Sequence, residues 1–174
     1  MKINRRDFIK TGGMVMLGSL AVPSFLGSCT GNKVDQATGI SFAQNHFGVS
    51  ESDMKKVLAS LMATQLPNGY IGNYAPEYQL QQWDVWGRKY TSLGLIAWYD
   101  LSGDKKALEA ACRVVDHLMT QVGPGKVDIV STGNYIGMPS SSGLEPVMYL
   151  YNRTKEKRYL DFAKYIVGQW ETPG

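Results

Sequence analysis

The 174 residues suffice for one domain of ordinary size, and a 44% hydrophobic, 11% aromatic composition suits a packed core, which excludes a disordered chain. The formal charge of +3 sits entirely in the first 28 residues, where Lys2, Arg5, Arg6 and Lys10 face Asp7 alone; 14 bases and 14 acids remain after them (18 − 4 and 15 − 1). A neutral body offers no electrostatic footprint for nucleic acid, and two cysteines, Cys29 and Cys112, support neither a disulfide framework nor a cysteine metal cluster.

In chain order, residues 1–29 read as an address. Asn4-Arg5-Arg6-Asp7-Phe8-Ile9-Lys10 resembles the twin-arginine export motif, and the apolar run from Met14 to Leu26 falls short of the ~20 residues that a membrane-spanning helix needs. Leu26-Gly27-Ser28-Cys29 resembles a bacterial lipobox. This predicts lipidation at Cys29 and an exported protein, periplasmic or lipid-anchored to the cell envelope; the alternative is a plain cleaved signal with an incidental cysteine. Residues 30–48, polar and glycine-containing at first, read as a tether.

The domain is predicted over residues 49–174. Ser50 opens a helix whose apolar residues Met54, Val57, Leu58, Leu61 and Met62 recur at helical spacing, predicting one buried face. Pro67-Asn68-Gly69 stops it, and Tyr70 to Tyr78 reads as an aromatic loop. A second helix is expected from about Gln81 to Leu101 and a third from Asp104 to Gln121. Gly123-Pro124-Gly125 breaks the chain, Val127 to Ile129 reads as a short extended run, and Asn134 to Gly143 as a loop. Two further helices are expected, Leu144 to Arg153 and Glu156 to Trp170.

An internal repeat organises these helices. Residues 98–111 align with residues 150–163 at a fixed offset of 52: Tyr99 with Tyr151, Ser102 with Thr154, Asp104 with Glu156, Leu108 with Leu160, Ala111 with Ala163. Each copy is a helix end, a tight polar turn and a helix start. Antiparallel helix pairs leave apolar surface that only neighbouring pairs cover, so the expected fold is all-α, an (α/α) toroid of helical hairpins, incomplete in this chain.

The densest chemistry lies in Trp83-Asp84-Val85-Trp86-Gly87-Arg88-Lys89-Tyr90. Indoles and phenols stack on the C–H face of sugar rings, and charged groups bond their hydroxyls, which makes Trp83, Asp84, Trp86, Arg88 and Tyr90 candidate carbohydrate contacts. The plainer alternatives are that Asp84 and Arg88 simply pair at i,i+4 and that both indoles are core. Ser140-Ser141-Ser142 precedes the fourth long helix and reads as a source of its N-cap, with Glu145 and Pro146 in its first turn. Ser140, Glu145 and Tyr70 complete the candidate substrate contacts. Asp84 and Glu145 form a glycosidase-type carboxylate pair only if the fold joins two helix starts. Cys112 reads as a buried, inert thiol. His46 and His117 receive no role, and no metal motif is present.

Four blocks resemble glycoside hydrolase family 127, the β-L-arabinofuranosidase-like enzymes with a six-hairpin (α/α) barrel: Gln65 to Ile71, Trp83 to Tyr90, the Tyr99-to-Ala111 hairpin, and Leu144 to Val167. The chain departs from the family's pattern where sugar-contacting histidines are expected. Asp84 stands at a glutamate, Tyr90 at a histidine, Ser140 at a histidine and Ser142 at a glutamate. The resemblance implies a retaining glycoside hydrolase whose cysteine nucleophile, zinc-binding cysteines and acidic partner lie downstream of Gly174. This chain would then carry part of the sugar-facing wall, bind no cofactor itself and be inactive alone. The alternatives are another α/α-toroid sugar enzyme, such as an unsaturated glucuronyl hydrolase with Asp84 as general acid, or a non-catalytic glycan-binding lipoprotein. The oligomeric state is left open.

Overall fold

A computed structural model describes residue 48 and residues 50–171; the leader, Cys29, His46 and nearly all of the tether lie outside them. Every regular element among the described residues is helical, with one isolated bridge, Val122 to Val127, in place of any strand.

Helix α1 spans Glu51–Ala63 and starts as expected, the Ser50 hydroxyl accepting the Asp53 amide at 3.1 Å. Its apolar face is a correction: no residue of α1 is fully buried, and Val57 is well exposed. Among the described residues its main neighbour is the helix over Lys105–Gln121, and the stripe of Met54, Leu58, Leu61 and Met62 is covered only in part.

Helices α2 (Asp84–Ser102) and α3 (Lys105–Gln121) form one antiparallel hairpin, and α5 (Leu144–Thr154) and α6 (Lys157–Gly168) form another. The aligned turns share their bonding. Gly103 ends α2 in the left-handed conformation and donates to the Tyr99 carbonyl at 2.8 Å; Lys155, 52 positions later, ends α5 the same way on Tyr151, also at 2.8 Å. The Ser102 hydroxyl bonds the Trp98 carbonyl and accepts the Asp104 amide, and Thr154 repeats this with Leu150 and Glu156. These αL closures satisfy carbonyls that each helix end would otherwise leave open.

The first helices of the two hairpins lie side by side and run the same way. Lys89 pairs with Glu145 at 3.0 Å near their starts, and Arg153 pairs with Asp100 near their ends. Between the hairpins lies the core, centred on Leu95, Ile96, Val114, Val147, Leu150, Tyr159 and Ile166, with Ala107 and Ala111 allowing close approach.

The connections depart from expectation in three places. Helix α2 begins at Asp84 rather than Gln81, because Leu80 (φ 64°) and Gln82 (φ 48°) are left-handed and cannot continue a helix. Ile129–Ser131 is a 3₁₀ turn, not an extended run. The expected loop from Asn134 to Gly143 contains a short helix, α4 (Met138–Ser141), with Pro139 in its first turn.

Candidate functional site

Asp84 is the first residue of α2, and it is only 2% exposed. Its carboxylate accepts from three segments: the Tyr70 hydroxyl at 2.8 Å, the Leu80 amide at 2.8 Å and Arg88 Nη2 at 2.5 Å. Arg88, equally buried, donates through Nη1 to Gln121 Oε1 at 2.7 Å and to His117 Nδ1 at 3.2 Å, both on α3, and its guanidinium lies 4.7 Å from the Tyr70 ring centroid. Gln121 in turn donates to Gln79 at 2.8 Å. The network ties the loop from Tyr70 to Leu80 onto the first hairpin. The simple i,i+4 pairing of Asp84 with Arg88 is therefore realised, and neither group is offered at the surface.

The protonation states follow from burial. Desolvation, and then the hydrogen bond to Asp84, push the Tyr70 phenol up to about 12, so it stays a neutral donor. Desolvation and the adjacent Arg88 cation hold His117 below its usual range. Because Arg88 can only donate, His117 Nδ1 is the acceptor and its proton sits on Nε2.

Above this network lies an aromatic row. Trp83, Trp86 and Tyr90 follow one face of α2 at i, i+3 and i+7, with centroid gaps of 5.4 and 4.6 Å and edge-on geometry. The core expectation for the indoles is corrected: Trp83 is 42% exposed and Trp86 39%, beside Tyr90 at 51%. Tyr135, 71% exposed, extends the row beyond the helix start, 6.1 Å from Trp83. Among the described residues no protein group bonds the indole N–H groups or the phenols of Tyr90 and Tyr135. Charge and aromatic density made the segment visible in sequence, but not which side of each ring is covered.

The remaining candidates separate. Ser140 is buried in α4, its hydroxyl 3.4 Å from the Thr132 carbonyl. The serines do not cap α5, whose N-cap is Gly143; Ser142 instead donates to the Pro139 carbonyl at 2.5 Å. Glu145 is exposed and pairs with Lys89 at 3.0 Å, whereas Asp84 is buried against Arg88, so the two carboxylates have separate partners. Cys112 is half-covered rather than buried, and desolvation raises its thiol, which keeps it protonated. Sequence reasoning missed His117, Gln121, Gln79 and Tyr135. The only available signal was the i,i+4 spacing of His117 and Gln121 on the buried face of α3.

Residues 10–171 match the family model described as β-L-arabinofuranosidase, GH127 catalytic domain. The chain belongs to glycoside hydrolase family 127. No curated protein and no solved structure matches it. In family 127 the catalytic domain is an (α/α) barrel, and the two hairpins α2–α3 and α5–α6 are successive units of that architecture. At family level the chain is a glycoside hydrolase of the β-L-arabinofuranosidase type, with carbohydrate as its substrate class. A zinc ion finds no fit among the described residues: no three His, Cys, Asp or Glu side chains converge, and Cys112 lies beside Tyr159 and Asp116.

Proposed function

We propose that the two hairpins form one wall of the glycan-binding cleft of a β-L-arabinofuranosidase, with Trp83, Trp86 and Tyr90 as the stacking surface. The observation that carries this reading is the exposed aromatic row on a helix of a family 127 domain, its polar ring atoms unclaimed by any protein group among the described residues. Amphipathic rings of this kind present an apolar face to sugar C–H groups and a donor to sugar hydroxyls. Asp84, Arg88, Tyr70 and Ser140 act from beneath, holding the start of α2 and its flanking loops in place. Asp84 as a general acid draws no support from a carboxylate locked to Arg88, which speaks against the glucuronyl hydrolase reading. With Asp84 occupied and Glu145 paired, the chain by itself is expected to bind glycan without turnover.

Titrating the full chain with L-arabinofuranose oligosaccharides, followed by tryptophan fluorescence, tests this. Trp83→Ala and Trp86→Ala should each weaken binding about tenfold, the equivalent of ~1.4 kcal/mol, at unchanged melting temperature. Unaltered affinity in both would reject the stacking surface. Export and lipid anchoring at Cys29 rest on the leader's motifs; Cys29→Ala should release the protein from the membrane fraction, and retention there would reject the anchor.

A further inference from the structure

The loop carrying Tyr135 has an unusual backbone. Gly133, Tyr135, Ile136 and Gly137 all have positive φ, between 53° and 64°. Left-handed backbone costs an L-residue with a side chain free energy, and for the β-branched Ile136 it is a true outlier. Such strain persists only where the surroundings over-determine it, and it gathers at ligand-contacting segments.

The surroundings here do over-determine it. Gly133 donates to the Leu80 carbonyl at 2.8 Å, and a Cβ at residue 133 would lie 2.7 Å from the Gln82 carbonyl. A Cβ at residue 137 would collide with the backbone of Ile129 and Val130. The loop is thus clamped at both ends, one of them against the equally left-handed Leu80–Gln82 segment. What the clamp achieves is to hold Tyr135 and Ile136 outward, with the Tyr135 ring against Trp83 and its hydroxyl unbonded among the described residues.

We infer that Tyr135 is a specificity-determining residue that grips a second sugar unit, so that the cleft selects oligosaccharides over single sugars. The inference rests on the carbohydrate reading of the row. Its own support is the placement of Tyr135: the other three rings belong to α2 and its N-cap, whereas this one stands off the helix start on a separate, strained loop and lengthens the surface by a further ring gap of 6.1 Å. The ring gaps of 5.4 and 4.6 Å are each about one sugar ring wide, so a unit seated on Trp86 and Tyr90 leaves Trp83 and Tyr135 to the next unit.

The test is a length series. The full chain is titrated calorimetrically with L-arabinofuranose oligosaccharides of one, two and three units. The wild type should gain about tenfold in affinity from one unit to two. Tyr135→Ala should abolish that gain and leave single-unit affinity and melting temperature unchanged, while Tyr135→Phe, which keeps the ring, should retain most of it. A gain that survives Tyr135→Ala, or equal losses at every length, overturns the role of Tyr135 and leaves the carbohydrate reading standing. Binding at no length overturns both.

Discussion

Arg153 in the last turn of α5 holds Asp100 in the last turn of α2 through two parallel bonds, Nε to Oδ1 at 2.8 Å and Nη2 to Oδ2. Its third nitrogen, Nη1, donates to the Tyr149 carbonyl at 2.9 Å, and its Cζ lies over the Tyr149 ring, 5.4 Å from the centroid. The pair joins successive hairpins rather than two parts of one, so it fixes their register.

A double-mutant cycle of Asp100→Asn and Arg153→Gln should therefore return a coupling of about 1 kcal/mol, toward the upper end for a partly exposed pair because both prongs are engaged. Urea unfolding measures it, and added salt should shrink it. Additive single effects would mean that the two hairpins keep their register without this contact.

Asp84→Ala should be far more damaging. It strands the buried Arg88 cation and removes the acceptor for Tyr70 and Leu80, at a cost of about 3 kcal/mol or more. Adding Arg88→Met should restore much of that stability, because the stranded charge is then gone. Thermal melting of the two variants decides it; a double variant no better than Asp84→Ala would place the cost elsewhere.

The network also sets a pH dependence. His117 is held below its ordinary value of 6.5, so the unfolded chain binds its proton first as pH falls. Stability from neutral His117 is complete above the unfolded value and is lost as pH drops below it toward the folded one. Protonating Nδ1 also ends its bond to Arg88 and sets two cations together. The melting temperature should fall between about pH 7 and pH 5, and His117→Gln should flatten that slope. An equally steep slope in the variant would assign the effect to other groups.

Much of this is legible in the sequence. The offset of 52 located both hairpin turns, and the duplicated Ser102/Thr154 bonding shows why: the same local interactions close each helix. The i,i+4 spacing of Asp84 and Arg88 contained their pairing. What escaped depends on distant partners or on backbone energy. His117 meets Arg88 across 29 positions, through packing alone. The spacing of Trp83 and Trp86 is the same whether a core or a solvent face receives them. Leu80, Gln82, Tyr135 and Ile136 carry none of the residue types that announce left-handed backbone.

Those four positions have a consequence for how the molecule opens. Each sits at roughly 1–2 kcal/mol above an ordinary conformation, and all belong to two surface connections joined by the Gly133–Leu80 bond, while the hairpins beside them hold one such non-glycine position, Lys155. Warming should release this rim before either hairpin melts, showing as early amide exchange and as protease nicking near Tyr135. Heat would then disable recognition at temperatures where circular dichroism still reports an intact helical body.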